Sequence, residues 1–208
     1  MHVDLVIPVK GLRLGKSRLR GALGAGDAGH AELVLALAAD TASAAAQAHN
    51  VRRVLAVTPD PALADALRSE HVEVLAEVPP AGLNSALRQG FSVLRRRDVS
   101  AVIGALQSDL PALRPADLAV AIATAAGARC FCPDRHGSGT TLLLSAAGGS
   151  LDPAFGPGSA AAHARSGAVA LTAAPSLRCD VDTAEDLAAA AAIGLGPRTA
   201  ALIGTGCR

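Results

Sequence analysis

The sequence predicts an α/β protein built on a mostly parallel β-sheet with helices on both faces. Short segments rich in Val, Ile and Leu alternate along the chain with longer, alanine-rich segments of helical periodicity. Several helix starts carry the expected signals, since Pro61 and Pro115 lie in the first turn and Thr183 is followed three residues later by an acid. The 208 residues contain no repeat and no break in composition. We therefore expect residues 1–208 to form one domain, with an irregular tail from about 194 to 208.

The individual elements follow from these two alternating patterns. Runs of β-branched and leucine residues between turn signals predict strands at residues 3–9, 54–58, 72–75, 101–106, 129–131, 140–144 and 169–171. Helical spacing of Ala and Leu predicts helices at residues 31–48, 61–69, 84–97, 115–126, 159–166 and 184–192. In an open α/β sheet the ligand lies outside the carboxyl ends of the strands. The residues that directly follow each strand are therefore the candidates for function.

Charge and composition exclude several classes of partner. The formal net charge is +1, and the one basic run, Arg95, Arg96 and Arg97, ends a predicted helix, where cations complement the helix dipole. The absence of a basic footprint and of Trp and Tyr argues against nucleic-acid binding. The four cysteines lack zinc-ligand spacing, and no apolar stretch of about 18 residues runs uninterrupted. We expect a reduced, cytoplasmic protein that binds neither nucleic acid nor membrane.

The first candidate site follows the first predicted strand, in the stretch LVIPVKGLRLGKS. Three residues separate its glycine from Gly-Lys-Ser, one fewer than a phosphate-binding P-loop requires, and a glycine-rich stretch follows rather than a helical pattern. Glycine lets a backbone approach an anion closely, and several cations on one segment suit a triphosphate. We predict a cationic loop that binds a nucleotide triphosphate and includes Lys10, Gly11, Lys16 and Arg18. A basic surface loop is the alternative.

Three aspartates form the second candidate site. Asp109 follows a predicted strand in the segment QSDLPAL, where a carboxylate is placed to hold a nucleotide-bound metal. Asp180 and Asp182 lie two residues apart, so in an extended segment both face the same way and a cation would relieve their repulsion. We predict that the three carboxylates meet at one edge of the sheet and bind Mg²⁺, with two ions expected. The structural alternatives are a turn-capping Asp109 and a helix-capping Asp182 that competes with Thr183.

Two glycine-rich turns, GSGTT at 137–141 and FGPGS at 155–159, form the third candidate site. Gly-Pro-Gly-Ser before a helical pattern places backbone N–H groups and a hydroxyl at a helix N-terminus, which favours an anion. Thr141, on the strand after the first turn, would add a second hydroxyl. Two ordinary turns are the alternative.

A weaker place is PPAGLN at 79–84. Gly82 is suited to approach a base or ribose and Asn84 to read one, although a plain N-cap role explains Asn84 equally well. The six histidines are scattered, and none has the spacing of a nucleophilic triad. Only His136 lies near the predicted site, so we expect no catalytic histidine.

In this order, the segments IPVK…GKSRL, SDLPAL, GSGTTLLL, FGPGSAAAH and CDVDTAEDL resemble the 2-phospho-L-lactate guanylyltransferase family. Its bacterial members are the phosphoenolpyruvate guanylyltransferases of deazaflavin coenzyme F-420 biosynthesis. The resemblance covers about residues 3–190, and five ordered motifs make it specific. It implies a Rossmann-like nucleotidyltransferase fold of the glycosyltransferase-A type. It also implies transfer of GMP from GTP to the phosphate of a three-carbon acid, with release of pyrophosphate.

Carried over position by position, the resemblance implies a role for each candidate residue. Phosphoenolpyruvate would lie on Thr141, Gly156 and Ser159. Mg²⁺ would lie on Asp109, Asp180 and Asp182, and the GTP phosphates on the segment of Lys16 and Arg18, with Gly82 and Asn84 near the nucleoside. Asp109, Lys16 and Arg18 would then be catalytic by neutralising the leaving pyrophosphate. The acceptor phosphate is already anionic, so no general base is expected. Gln107 and Ser108 before Asp109 depart from the expected lead-in.

Several alternatives stay open at the level of sequence. The acceptor could be 2-phospho-L-lactate or 3-phosphoglycerate, or the enzyme could be a cytidylyl- or guanylyltransferase for a molybdopterin or methylerythritol phosphate. A P-loop kinase or ATPase and a non-enzymatic nucleotide-binding regulator belong to other classes. The next enzyme of the pathway is a conceivable partner, because an enolpyruvyl diphosphate is labile.

Overall fold

A seven-stranded sheet organises the protein. The structure is a computed structural model that describes residues 2–11, 19, 26–68, 70, 72–79 and 81–205. Its strands are β1 (Val3–Pro8), β2 (Val51–Thr58), β3 (Glu73–Ala76), β4 (Val102–Leu106), β5 (Cys130–Pro133), β6 (Thr140–Leu144) and β7 (Val169–Ala170). Its helices are α1 (Gly26–Gln47), α2 (Pro61–Arg68), α3 (Leu83–Arg97), α4 (Pro115–Ala125), α5 (Ser159–Arg165), α6 (Pro175–Arg178), α7 (Ala184–Ile193) and α8 (Pro197–Thr205).

The strands lie in the order β3-β2-β1-β4-β6-β5-β7. All neighbours are parallel except β6, which runs antiparallel to both β4 and β5. Every residue of β1, β4 and β6 is buried, because these central strands are covered on both faces. The predicted α/β class with a mostly parallel sheet is confirmed. The single-domain organisation stays a prediction.

Two aliphatic layers hold the helices on the sheet. Along β1, Leu5 and Ile7 point into the cluster that includes buried residues of α1 and α4, whereas Val6 points into the cluster beneath α3. A Cβ at Gly90 of α3 would lie 2.5 Å from a methyl carbon of Val6. Only glycine lets α3 approach β1 this closely, and α3 then reaches the same edge of the sheet as the ends of β1 and β4.

The C-terminal tail is not irregular, contrary to the prediction, because residues 197–205 form α8. Its first turn is capped from α1, where the carboxylate of Asp40 accepts the backbone N–H groups of Arg198 at 3.1 Å and Thr199 at 2.8 Å. Arg198 also pairs with Glu70. The capping residue lies far away in the sequence, so no local start signal marked this helix. The short helix α6 was missed as well.

The described residues include Cys130, Cys132 and Cys179, all buried and free, while Cys207 lies outside the described residues. Within the same part of the chain, no single helix is long and apolar enough to cross a membrane. Only α7 and α8 together reach the necessary length, and they are bent by 117° relative to each other. A cytoplasmic location stays a prediction.

Candidate active site

A cavity of about 640 Å³ opens where β1 and β4 end. Pro8, Val9 and Lys10 follow β1 on one side, and Gln107 to Asp109 follow β4 on the other. The chain order reverses between these neighbouring strands, since β1 leads to β2 on one side and β4 lies on the other. Such a switch point is where α/β sheets bind their ligands.

The structure divides the predicted site residues into three groups. Those that line the cavity are Lys10, Asp109, Gly156, Ser159, Asp180 and Asp182. Those that the structure describes elsewhere are Gly11, Gly82, Asn84 and Thr141. Lys16 and Arg18 lie outside the described residues. Among the described residues, a Cβ at Gly11 would meet Asp60 Oδ2 at an ordinary 3.7 Å, so packing within that part of the chain does not require glycine there.

A backbone junction brings the aspartate segments together. The N–H of Val181 donates to the carbonyl of Asp109 at 3.0 Å, so Asp180 and Asp182 flank the residue bonded to Asp109. The turn after Asp109 is fixed from α1, because the N–H of Leu110 donates to Thr41 Oγ1 at 2.9 Å. Asp109 is itself 7% exposed and lines the cavity. Residues more than 70 positions apart in the sequence are thus held at one edge of the sheet.

The carboxylates fit a magnesium ion only in part. Among the described residues, no three Asp, Glu, His or Cys side chains are arranged so that they alone could hold a metal. Mg²⁺ usually takes one or two protein carboxylates and completes its octahedron with waters and substrate phosphates. Asp109, Asp180 and Asp182 line one cavity and supply that donor type. They suit a metal that substrate phosphates help to hold, and the prediction of two ions stays a prediction.

Helix α7 is capped by Thr183 and not by Asp182, because Thr183 and Asp186 form a capping box. Thr183 is the N-cap of α7: its hydroxyl accepts from the N–H of Asp186, whose carboxylate accepts from the N–H of Thr183 at 2.9 Å. The predicted Thr183 capping box is confirmed. The N–H of Asp182 also donates to Asp186 at 3.1 Å, which fixes the backbone of the aspartate pair.

Asp186 also binds the guanidinium of Arg135 at the cavity wall. This ion pair was not predicted from the sequence. Its Oδ1 accepts from Arg135 Nη2 at 2.6 Å and from Nε at 3.2 Å. Burial alone would raise the pKa of Asp186, but the hydrogen bonds from Arg135, Thr183 and two backbone N–H groups outweigh it and lower that pKa. An ionised Asp186 keeps the Arg135 guanidinium at the cavity wall. The only signal in the sequence was the acid of the capping box.

In the turn at 134–139, backbone N–H groups are hydrogen-bonded to the carboxylate of Asp134. Asp134 accepts the N–H groups of Ser138 at 3.0 Å and Gly139 at 2.9 Å. A Cβ at Gly139 would lie 2.5 Å from Asp134 Oδ2, so glycine is required for this closure. Arg178 donates to the carbonyl of Asp134 at 2.8 Å. The carboxylate of Asp134 accepts these two N–H groups, so they are not available to bind an anionic ligand. The turn forms part of the cavity wall instead.

Of the two adjacent threonines of β6, Thr140 lines the cavity and Thr141 does not. Successive residues on a strand face opposite sides, and Thr140 lines the cavity whereas Thr141 is fully buried. The hydroxyl of Thr141 instead donates to the carbonyl of Cys132 at 3.5 Å. Thr141 is therefore buried beside the cavity rather than part of its lining, and its role in binding the acceptor stays a prediction.

The second glycine turn closes against the first. Gly156 and Gly158 have φ values of 136° and 72°, conformations that favour glycine. The N–H of Ser159 donates to Gly156 O, and that of Ala160 donates to Ser138 O, each at 3.1 Å. Two N–H groups at the start of α5 are therefore used inside the protein. The wall of the cavity here consists of Gly156, Pro157 and Gly158 together with the 2% exposed Ser159.

Asn84 bridges α3 to this turn. Its Oδ1 accepts the N–H of Phe155 and its Nδ2 donates to the carbonyl of Phe155, each at 2.9 Å. Asn84 is not the N-cap of α3, because that position is Gly82. The N–H groups of Ala81 and Gly82 donate to the 8% exposed Glu77, at 2.9 and 3.2 Å. Contacts of Gly82 and Asn84 with a nucleoside stay predictions.

His163 is a further residue that the sequence did not single out. It is fully buried, with Nδ1 2.9 Å from Thr140 Oγ1 and Nε2 accepting the N–H of Ala154 at 3.0 Å. Its ring contacts Phe155 edge-on, with centroids 5.1 Å apart. Burial and the nearby positive charge of Arg129 lower the pKa of His163 to about 4. His163 ends the FGPGSAAAH segment that carries the family resemblance, but the sequence indicated no role for it.

Solved structures share this fold. A putative nucleotide-diphospho-sugar transferase from Desulfovibrio desulfuricans G20 superposes with a TM-score of 0.70 over 99% of both chains, at 14% identity. A nucleotidyl transferase from Methanothermobacter thermautotroptrophicus superposes with a TM-score of 0.57 over 92% of this chain and 97% of its own, at 17% identity. The predicted nucleotidyltransferase fold is confirmed.

Sequence relatives match nearly the whole chain, although no family model matches it. A phosphoenolpyruvate guanylyltransferase from Salinispora arenicola is 51% identical over 205 residues, which cover 97% of this chain and 93% of the relative. A phosphoenolpyruvate guanylyltransferase from Geodermatophilus obscurus is 50% identical over 211 residues, which cover 99% of this chain and 95% of the relative. This chain therefore belongs to the phosphoenolpyruvate guanylyltransferase family.

Proposed function

We propose that the protein transfers GMP from GTP to phosphoenolpyruvate, giving enolpyruvyl-diphospho-5'-guanosine and pyrophosphate, as a step of coenzyme F-420 biosynthesis. The observation that carries the proposal is that one cavity is lined by Asp109, Asp180 and Asp182 and also by Thr140 and Ser159. The carboxylates suit a phosphate-bound metal and the hydroxyls suit the acceptor, while Asp186 holds the Arg135 guanidinium beside the Asp182 segment. Both relatives are phosphoenolpyruvate guanylyltransferases, which supports the choice of GTP and phosphoenolpyruvate.

At the carboxylate end, Asp109, Asp180 and Asp182 would hold Mg²⁺ together with the triphosphate. Nucleotidyltransferases of this kind generally use a divalent metal, which neutralises charge on the triphosphate and on the departing pyrophosphate. Lys10 lines the same part of the cavity and adds a positive charge. Lys16 and Arg18 are proposed to contact the GTP phosphates from the segment that follows.

At the other end, the protein positions the acceptor. Thr140 and Ser159 are the hydroxyl-bearing residues of this wall, and Arg135 supplies a positive charge next to the Asp182 segment, because Asp186 binds both. An oxygen of the acceptor phosphate attacks the α-phosphorus of GTP as the bond to the β-phosphate oxygen breaks, and the electron pair leaves with pyrophosphate. The attacking oxygen is already an anion, so no residue has to remove a proton. Holding two anions in line accounts for most of the catalysis.

The test is acceptor-dependent release of pyrophosphate. Purified protein is incubated with Mg²⁺, GTP and one of phosphoenolpyruvate, 2-phospho-L-lactate or 3-phosphoglycerate, with CTP replacing GTP in a parallel series. We expect release with GTP and phosphoenolpyruvate to exceed every other pair. Faster release with another acceptor would replace phosphoenolpyruvate in the proposal, and release no faster than without acceptor would refute the transfer reaction.

A further inference from the structure

His163 lies behind the acceptor wall and takes no part in the chemistry just described. Its two ring nitrogens bond separate segments that both line the cavity. Nδ1 contacts Thr140 at the start of β6, and Nε2 contacts the backbone of Ala154, two residues before Gly156. The rings of Phe131 and Phe155 pack around it with centroids 6.0 and 5.1 Å away.

The hydrogen bonds determine the proton on this ring. A backbone N–H can only donate, so Nε2 of His163 must be the acceptor for Ala154 and carries no proton. A neutral ring then carries its proton on Nδ1, and Nδ1–H donates to Thr140 Oγ1. With its acceptor role filled by His163, the hydroxyl of Thr140 has its own proton left to donate. Thr140 is also one of the residues that line the cavity.

We propose that His163 is a positioning residue that makes Thr140 a hydrogen-bond donor toward the acceptor and fixes the backbone leading into Gly156. The inference deepens the proposed function and rests on it, because the group that receives the hydrogen bond is an anionic oxygen of the acceptor. A hydroxyl free to rotate would present its lone pairs to that anion part of the time. A hydroxyl already accepting from a ring N–H presents its proton.

The surroundings keep the ring in the required state. A second proton on Nε2 would face the N–H of Ala154, with two donors and no acceptor between them. Arg129 donates to the carbonyls of Ser166 and Leu151, and its positive charge opposes a second positive charge on the ring. Burial acts in the same direction, so the low pKa of His163 agrees with the geometry. The donor arrangement therefore holds across the neutral pH range.

Three substitutions at His163 separate positioning from packing. His163→Phe keeps a ring among Phe131 and Phe155 but removes both hydrogen bonds. His163→Asn keeps an N–H where Nδ1 stood, toward Thr140, and His163→Gln keeps an acceptor where Nε2 stood, toward Ala154. Thr140→Val removes the hydroxyl at nearly constant shape. Exposed His49→Asn is the matched control.

The steady-state constants for the acceptor and for GTP are measured for each variant. We expect Thr140→Val and His163→Phe each to raise the acceptor KM about tenfold, the size of one lost hydrogen bond to a charged group, with the GTP KM changed less than about twofold. His163→Asn should recover most of the acceptor KM and His163→Gln should not. The double variant His163→Phe with Thr140→Val should resemble the single variants, because both remove one interaction.

The inference fails if His163→Phe leaves the acceptor KM unchanged, if it changes the GTP KM equally, or if its effect multiplies with that of Thr140→Val. A second measurement does not depend on the reaction. In ¹⁵N-histidine NMR of the free protein, His163 should carry its proton on Nδ1 at pH 7. A proton on Nε2 overturns the inference even if GMP transfer is observed. Absence of transfer with every acceptor, with Nδ1 protonated, refutes the proposed function and the acceptor role of Thr140, leaving only the ring geometry.

Discussion

The two ends of the cavity are built differently. At the acceptor end, side chains from distant segments bond to the backbone of the wall: His163 to Ala154, Asn84 to Phe155, and Asp134 to its own turn. At the carboxylate end, a backbone bond from Val181 to Asp109 brings the acids together, and the described carboxylates form no complete metal-binding set.

The difference follows from the charge that each end must handle. The acceptor wall is tied together by internal hydrogen bonds, which can hold it in shape before substrate arrives. Three aspartates repel one another, and a fully closed carboxylate cluster would be costly without a cation. We therefore infer that the acceptor end is preorganised, whereas the carboxylate end is completed by the metal and triphosphate.

The largest effect is expected at the carboxylate end. Asp109→Asn and Asp180→Asn keep the shape but remove a charge that a metal-bound triphosphate needs, so kcat should fall roughly 100-fold or more. The melting temperature should stay the same or rise, because like-charge repulsion is relieved. Pyrophosphate release and thermal unfolding measure the two quantities. Exposed Asp65→Asn is the control, and a fall in stability comparable to the loss of activity would contradict the comparison.

Acid should destabilise the acceptor end through His163. Its pKa is lowered from 6.5 to about 4 in the folded protein, so the unfolded chain binds more protons between these values. The free energy of unfolding therefore decreases as the pH falls from about 6.5 to about 4, and this group contributes no change below that. The shift corresponds to about 3 kcal/mol at about 1.4 kcal/mol per pKa unit. Denaturant unfolding at several pH values should show a shallower slope for His163→Asn than for the exposed control His49→Asn.

Asn84 tests whether the acceptor wall is held from α3. Asn84→Ala leaves the N–H and carbonyl of Phe155 without their partner, which costs about 2 kcal/mol in stability. Asn84→Asp keeps the acceptor for the N–H and should cost less. We expect the acceptor KM to rise in Asn84→Ala with the GTP KM nearly constant. A rise confined to the GTP KM would instead support the earlier prediction that Asn84 contacts the nucleoside.

The smallest effect is expected away from the cavity. Asp40→Ala removes the carboxylate that caps α8, and loss of such a cap costs about 1 kcal/mol. Asp40→Asn keeps an oxygen acceptor and should lose less. Chemical denaturation measures the difference, and kcat and both KM values should not change. A change in the KM for either substrate would show that α8 influences the site.

The sequence anticipated the fold and the position of the site well, for local reasons. The alternating patterns predicted each of the seven strands with small errors at the ends, and the rule that ligands lie beyond strand ends led directly to Asp109. The capping box at Thr183 was readable because its two partners lie three residues apart. Residues around Lys16 fall outside the described part of the chain, so their predicted roles await experiment.

The side-chain contacts of the acceptor wall could not be predicted from local sequence patterns. Thr140 and Thr141 are identical in type and adjacent, and only the face that β6 turns toward the cavity separates them. Arg135 and Asp186 are 51 residues apart, and Asn84 and Phe155 are 71 apart. Neither pair belongs to a local motif.

By itself the sequence determined the α/β class, the order of the strands along the chain, the aspartate and glycine segments and the resemblance to a guanylyltransferase family. Tertiary structure alone decided that Thr140 lines the cavity and that His163 and Asn84 form hydrogen bonds to its wall. It also decided that Asp40 caps the helix at residues 197–205. The physical reason is the sequence separation over which each interaction acts. Propensity, hydrophobic periodicity and capping act between residues a few positions apart, whereas a hydrogen bond between distant segments exists only after the sheet and helices have packed.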